Sequence, residues 1–104
     1  MKIPKKLKIG GHDFDVILKK PTDKEKGYNN WGKTFFANNE MMIDNDLSQS
    51  RQEEVFLHEI LHCCFEMSGL NKELDDKKQK SEEDIICNLT AILYQILKDN
   101  NLLK

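Results

Sequence analysis

The chain has 104 residues, of which 38% are hydrophobic and 33% are charged, and its formal net charge is −2. These values are typical of one soluble globular domain, here residues 1–104, and they exclude a fully disordered chain. The near-neutral charge argues against nucleic acid as a partner. No apolar run approaches the ~20 residues that cross a bilayer, and residues 1–10 lack a signal-peptide pattern. We therefore expect a cytoplasmic protein that makes no membrane contact.

The first half of the chain predicts four short strands. Residues 6–9 and 14–18 are β-prone, and Gly10 and Gly11 between them permit the positive φ of a hairpin turn. His12 lies beside this turn and is interpreted as a loop residue. Residues 21–30 form a polar loop. Residues 31–36 and 40–44 are the third and fourth predicted strands, separated by the turn residues Asn38 and Asn39.

The second half predicts two helices joined by a highly charged linker at residues 71–80. The first helix covers residues 51–68, with Ser48 or Ser50 as its N-cap and Gly69 as its C-cap. Apolar residues surround almost its whole circumference, which is typical of a buried helix. The second helix covers residues 81–98 and begins with a capping box of Ser81 and Asp84. Its apolar stripe consists of Ile85, Ile86, Leu89, Ile92, Leu93, Ile96 and Leu97.

The three cysteines, Cys63, Cys64 and Cys87, are odd in number, and two of them are adjacent. This pattern argues against a disulfide framework and is typical of a reducing compartment. The chain has no Cys-x-x-Cys pair. We therefore interpret the cysteines as small core residues and not as ligands of a structural zinc site.

His58, Glu59 and His62 form a His-Glu-x-x-His sequence in the middle of the first helix. The two histidines are four residues apart, so they project from one face and can converge on one tetrahedral ion. Glu59 would lie beside such a metal, where it can act as a general base toward water. Two imidazoles and a carboxylate are unfavourable in an apolar helix unless something pairs them. One zinc ion per chain would pair all three.

A hydrolytic zinc site needs a third protein ligand and keeps its fourth position open. The main candidates are Glu82 and Glu83, at the start of the second helix. On the helical wheel, Glu82 projects near the middle of the apolar stripe and Glu83 projects from its edge. A metal in an open cleft should lie at the border of the core, which favours Glu83, while the wheel does not exclude Glu82. Glu66, one turn after His62, is a weaker candidate.

Two runs of the chain resemble a known family. The motif Leu57-His58-Glu59-Ile60-Leu61-His62 resembles the active-site helix of gluzincin-type zinc metallopeptidases. The helix that begins Ser81-Glu82-Glu83-Asp84-Ile85-Ile86 is similar to the closing helix of small phage and prophage proteins related to the ImmA/IrrE-type and minimal gluzincin peptidases. The resemblance covers roughly the second half of the chain. It implies an α+β, zincin-like fold, with a small twisted N-terminal β-sheet packed on an active-site helix and a C-terminal glutamate helix.

The resemblance also implies roles for individual residues. His58 and His62 would be metal ligands, Glu59 the general base, and Glu83 or its neighbour Glu82 the third ligand. In such folds the strand before the active-site helix runs along the edge of the cleft and can bind an extended peptide by adding it to the sheet. The residues at that place are Glu40, Met41, Met42 and Ile43.

This chain departs from the larger gluzincins in two respects. It lacks their Glu-x-x-x-Asp form, because Ile86 and Cys87 occupy the two possible Asp positions. It also has no histidine after His62, which excludes the clans that use three histidine ligands.

Motif and resemblance together predict a zinc-dependent endopeptidase that cleaves a cytoplasmic protein or peptide, in the host cell if the chain is phage-encoded. By analogy with the ImmA/IrrE group, the substrate would be a regulatory protein. One alternative is a non-catalytic adaptor stabilised by zinc, and another is a metal-free interaction module. Glu59 favours the enzyme, because an adaptor does not need it. The sequence predicts no oligomeric state.

Overall fold

The computed structural model describes residues 1–20, 31–73 and 81–103. Its strands are β1 (Lys6–Ile9), β2 (His12–Lys19), β3 (Gly32–Phe35) and β4 (Glu40–Asp44). Its helices are α1 (Gln49–Ser68), a short 3-10 helix (Leu70–Glu73) and α2 (Glu82–Asp99). These elements confirm the α+β class, with one four-stranded mixed sheet and two long helices. The polar loop predicted at residues 21–30 and most of the charged linker lie outside the described residues.

β1 and β2 form the predicted hairpin. Gly10 and Gly11 have φ angles of 58° and 82°, in the left-handed region that glycine adopts without a steric penalty. The two glycines complete the turn by themselves, so His12 already belongs to β2 and pairs with Ile9. The interpretation of His12 as a loop residue was therefore wrong.

The strands lie in the order β1-β2-β4-β3. β1 and β2 are antiparallel, β2 and β4 are parallel, and β3 and β4 are antiparallel. β4 is therefore an internal strand, which pairs with β2 on one side and with β3 on the other. β3 precedes β4 in the chain but lies farther from β2 in the sheet. The prediction of an edge strand was wrong for all four of its residues, which are Glu40, Met41, Met42 and Ile43. Among the described strands, the edge strand next to β4 is β3.

The hydrophobic core of the described residues lies between one face of the sheet and α1. Its members are Ile3, Phe14, Val16, Met41, Ile43, Val55, Phe56 and Cys63. β2 buries Phe14 and Val16 and exposes Asp13 and Asp15, which is the two-residue alternation of a strand with one covered face.

α1 has the predicted caps. The Oγ of Ser48 accepts a hydrogen bond from the backbone N–H of Arg51, so Ser48 and not Ser50 is the N-cap. At the other end, Gly69 is left-handed with φ 80°. α1 therefore begins two residues before the predicted start, and its central turns, which carry His58 and His62, lie far from either end.

α2 has the predicted capping box, because Ser81 and Asp84 each bond the other's backbone N–H. α2 contacts α1, and the residues that it buries form a line along one side, which we call the α1-facing line. This line consists of Ile86, Thr90 and Tyr94. None of the helices in the described part of the chain combines the length and apolar character needed to span a membrane.

The apolar stripe of α2 is not centred on α1. The α1-facing line lies at the border of the stripe, and the helix is rotated so that this line packs on α1. Leu89, Ile92 and Ile96, which belong to the rest of the stripe, are therefore exposed. A buried polar contact accompanies this rotation: the hydroxyl of Tyr94 donates a hydrogen bond of 2.8 Å to Oε1 of Glu53 on α1.

Candidate metal site

The two histidines of α1 lie side by side, as their spacing predicts. Their Nε2 atoms are 3.2 Å apart, and their ring centroids are 4.9 Å apart. The exposed fraction of His58 is 7%, and His62 is half-buried. The two rings therefore direct one nitrogen each toward a common point near the surface of the helix pair.

Glu83 of α2 completes this group. Its Oε1 lies 3.0 Å from Nε2 of His58, and its Oε2 lies 2.8 Å from Nε2 of His62. The contact follows from the packing of α2, because Glu83 lies one turn before Ile86 and Cys87 and two turns before Thr90, on the side that faces α1. Of the two candidates for a third ligand, Glu83 is the one that joins both histidines.

The donor set fits a divalent metal. Ligands at ~2.0–2.1 Å from a tetrahedral zinc ion lie about 3.3 Å from one another. The two Nε2 atoms, 3.2 Å apart, are close to that value, and Glu83 adds one oxygen 3.0 Å from His58 and its other oxygen 2.8 Å from His62. His58, His62 and Glu83 form a group in the described part of the chain that could hold a metal ion.

Glu82 contacts the opposite nitrogen of His62. Its Oε2 lies 2.6 Å from Nδ1, and a carboxylate only accepts hydrogen bonds, so Nδ1 donates the hydrogen. Nε2 of a neutral His62 then presents a lone pair toward the Glu83 carboxylate. Two acceptors 2.8 Å apart repel unless a cation or a second proton lies between them. Glu82 therefore orients His62 for a cation and is not itself part of the three-atom group.

The charged groups around His62 also favour a positive charge at this site. Burial lowers the pKa of its imidazole, but the hydrogen bond to Glu82 and the nearby Glu59 and Glu83 outweigh burial, so the pKa is raised above its usual value. The site therefore attracts positive charge, which a proton or a metal ion can supply.

Glu59 lies beside the group and not in it. Its exposed fraction is 5%, and the hydroxyl of Thr34 on β3 donates a hydrogen bond of 2.7 Å to its Oε1. Burial raises the pKa of the Glu59 carboxyl above its usual range, although the bond from Thr34 lowers it. Glu59 is thus a buried carboxylate that one hydroxyl donor holds, and its charge interacts with those of His58 and His62.

Gly32 allows β3 to approach α1 closely enough for this contact. A Cβ at position 32 would lie 2.5 Å from Cγ1 of Val55 and 3.1 Å from the carbonyl oxygen of Met42. Cγ of Glu59 would be 3.6 Å away. Because Gly32 has no side chain, β3 can lie close against α1. This close approach places Thr34 next to Glu59.

A cavity of about 170 Å³ opens beside His58, between the start of β3 and the two helices. Its lining consists of Trp31, Arg51, Glu54, Val55, His58, Cys87, Thr90 and Ala91. The Arg51 guanidinium lies 5.8 Å from the centre of the Trp31 ring, and its Nη1 lies 3.2 Å from Oε1 of Glu54. The lining therefore combines apolar side chains with the ion pair of Arg51 and Glu54.

The remaining predicted site residues lie elsewhere. Met41 and Ile43 are buried in the core, and Met42 lies beside Ile17, Phe35 and Glu40 in a separate cavity. Glu66 is exposed and accepts a hydrogen bond from the side chain of Asn71. None of these residues belongs to the three-atom group.

The cysteines differ from one another. Cys63 is fully buried, and burial raises the pKa of its thiol to about 11. Cys64 and Cys87 are exposed, so the interpretation as core residues was wrong for these two. Cys64 lies on an exposed part of α1, and Cys87 lines the cavity beside His58, where its Sγ lies 3.6 Å from Oε1 of Glu83.

Thr34 was missed by the sequence reasoning, although the alternation of β3 places Gly32 and Thr34 on the same face of the strand. No protein-family model, no curated protein and no solved structure matches this chain. The likeness to gluzincin peptidases therefore rests on the motif residues themselves.

Proposed function

We propose that the protein is a zinc-dependent endopeptidase with a zincin-like fold, which holds one zinc ion per chain through His58, His62 and Glu83. The observation that carries the proposal is the convergence of three ligand atoms from two helices beside the buried carboxylate of Glu59. A structural zinc site is closed by four protein ligands, whereas this group offers three and leaves one position for water or substrate.

When bound, the metal would supply Lewis-acid polarisation of the substrate carbonyl and acidify the attacking water. Glu59 accepts the proton of that water at its carboxylate and returns the proton to the leaving amine. Thr34 holds one Glu59 oxygen by its hydroxyl, so the other oxygen is available to the substrate. Glu82 keeps His62 in the tautomer that presents Nε2.

The edge of β3 supports a place for an extended peptide. Asp44 donates a backbone hydrogen bond of 2.8 Å to the carbonyl of Trp31, so alternate residues of β3 turn their backbone groups toward β4. By the same alternation, Gly32 and Thr34 turn theirs away from β4, where no strand of the described residues pairs. A peptide added there would run past Thr34 and Glu59. The substrate is thus proposed to be an extended segment of a cytoplasmic protein.

A non-catalytic adaptor is the other use of the same zinc site. Such a protein needs His58, His62 and Glu83, but gains nothing from a carboxylate with 5% exposure beside the metal. Burying a carboxylate is unfavourable unless hydrogen bonds or charges compensate. The contact between Glu59 and Thr34 therefore favours the enzyme.

The decisive experiment has two parts, metal content and cleavage. We expect close to one zinc per chain in protein purified without a histidine tag or chelator, and loss of that zinc in His58→Ala. Wild type should cleave a peptide library, read by mass spectrometry, and Glu59→Gln should bind zinc without cleaving. Zinc bound with no Glu59-dependent cleavage would favour the adaptor, and absence of metal after zinc addition would rule out both.

A further inference from the structure

α2 carries an apolar face that the described part of its own molecule does not cover. Leu89, Ile92 and Ile96 expose 42%, 52% and 44% of their surface, and Ile85 is half-buried on the same side. We call these four residues the α2 seam. The α1-facing line lies on another side of the helix, so the fold of the monomer does not require the seam to be apolar.

The spacing of the α2 seam indicates what covers it. Its residues follow one another at intervals of four, three and four positions, which is the a/d pattern of a helix that packs against another helix. From Ile85 to Ile96 the seam extends over about 16 Å along the helix axis. A second helix with matching spacing is therefore the complementary surface.

The distribution of charge indicates a second copy of this chain. Charged residues make up 33% of the sequence, yet none lies between Ile85 and Leu97. A surface that meets its own copy across a two-fold axis brings like charges together, and this stretch has none to repel. Beside the seam, the flanking residues are the amides Asn88 and Gln95, both exposed.

We propose that two copies of the protein associate through their α2 seams in an antiparallel pair. In that arrangement Ile85 lies opposite Ile96 of the second copy, and Leu89 lies opposite Ile92. Asn88 of each copy then flanks Gln95 of the other, where two amides can exchange hydrogen bonds. The antiparallel direction also sets the opposite ends of the two helix dipoles side by side.

The contact is small. Two heptads bury less than the ~800 Å² per partner of a typical stable interface, so we expect a reversible monomer–dimer equilibrium at micromolar concentration. The proposal is independent of the metal site, since none of the four seam residues belongs to the group of His58, His62 and Glu83.

Sedimentation equilibrium over a wide concentration range tests the proposal. Ile92→Glu adds one negative charge in the seam, and Lys98→Gln, at an exposed position outside the seam, changes the net charge by the same amount. We expect wild type and Lys98→Gln to dimerise reversibly, and Ile92→Glu to weaken the dimer at least about tenfold while keeping its circular dichroism. A wild type that stays monomeric, which would leave the seam to another protein, or a dimer unaffected by Ile92→Glu would overturn the proposal.

A second pair of variants tests the direction of the helices. Asn88→Glu with Gln95→Lys places opposite charges across an antiparallel pair, and Asn88→Lys with Gln95→Lys places like charges there. We expect the first double variant to dimerise about tenfold more tightly than the second. Equal dimerisation of the two variants would overturn the antiparallel arrangement.

Discussion

Glu82 and His62 belong to different helices, and Oε2 of Glu82 lies 2.6 Å from Nδ1 of His62. The next residue, Glu83, lies 2.8 Å from the other nitrogen of the same ring. Two consecutive side chains of α2 thus hold both nitrogens of one imidazole on α1. The absence of aspartate at positions 86 and 87 therefore does not leave His62 without a carboxylate partner.

The role of Glu82 predicts a graded loss of metal affinity. Glu82→Gln keeps the three ligand atoms but removes the charged acceptor at Nδ1, so we expect zinc affinity to fall about 10–100-fold with one zinc still bound at saturation. Glu83→Gln removes a ligand and should weaken binding further. Competition with a chromophoric chelator measures both, and Glu66→Gln, at an exposed position outside the site, is the control. Stronger damage from Glu82→Gln than from Glu83→Gln would reverse the two roles.

The contact between Thr34 and Glu59 predicts a separation of catalysis from metal binding. Glu59→Gln should reduce peptide cleavage by about 10²–10⁴-fold, because the general base is lost. Thr34→Val leaves the carboxylate in place without its donor and should reduce cleavage by about tenfold. Both variants should retain the zinc content of wild type. A large loss of zinc in Thr34→Val would show that the residue supports the fold of the site and not the base.

Gly32 predicts a coupled pair of core mutations. Gly32→Ala places a methyl group against Val55, which should lower the free energy of unfolding by about 1–3 kcal/mol. Val55→Ala alone leaves a cavity and is also destabilising. The double variant should be destabilised by less than the sum, with a coupling of about 0.5 kcal/mol or more. Urea unfolding of the four proteins measures this difference, and strict additivity would show that the close approach of β3 depends on other contacts.

The buried carboxylate of Glu53 predicts a dependence of stability on pH. Burial opposes ionisation, but hydrogen bonds from the Met1 ammonium and from Tyr94 prevail and lower the pKa of Glu53 below its ordinary 4.5. A lowered pKa stabilises the folded state at pH values above 4.5, and this contribution is lost as the pH falls through the folded value.

The matching experiment compares wild type with Glu53→Gln in urea at pH 7 and in the acid range. We expect the variant to lose about 1–3 kcal/mol at neutral pH and to differ less from wild type as Glu53 becomes protonated. Tyr94→Phe should show a smaller loss of the same kind, since it removes the hydrogen bond of 2.8 Å to Glu53. A constant difference between wild type and Glu53→Gln at every pH would contradict the assignment.

The local sequence determined the secondary-structure elements and the two histidines of the metal site. The hairpin at Gly10 and Gly11, the cap at Ser48 and the box at Ser81 depend on groups within a few residues of one another, so short motifs predict them. The same holds for His58 and His62, because one helical turn fixes their separation regardless of the rest of the chain.

The tertiary structure decided what depends on contacts between distant elements. The sequence carries no signal for the position of β4 between its neighbours, because the order of strands follows from pairings between strands that are distant in the chain, such as β2 with β4. For the same reason Thr34 was not predicted: it lies 25 residues from Glu59 in the chain.

The choice between Glu82 and Glu83 shows the same division. The helical wheel relates each glutamate to the apolar stripe of α2, but it cannot give the rotation of α2 on α1. Packing along the α1-facing line, with Tyr94 hydrogen-bonded to buried Glu53, sets that rotation. As a result, Glu83 contacts Nε2 of both histidines, and Glu82 contacts only Nδ1 of His62. The sequence by itself determined the chemistry that is available, and only the packing of two helices decided which atoms converge.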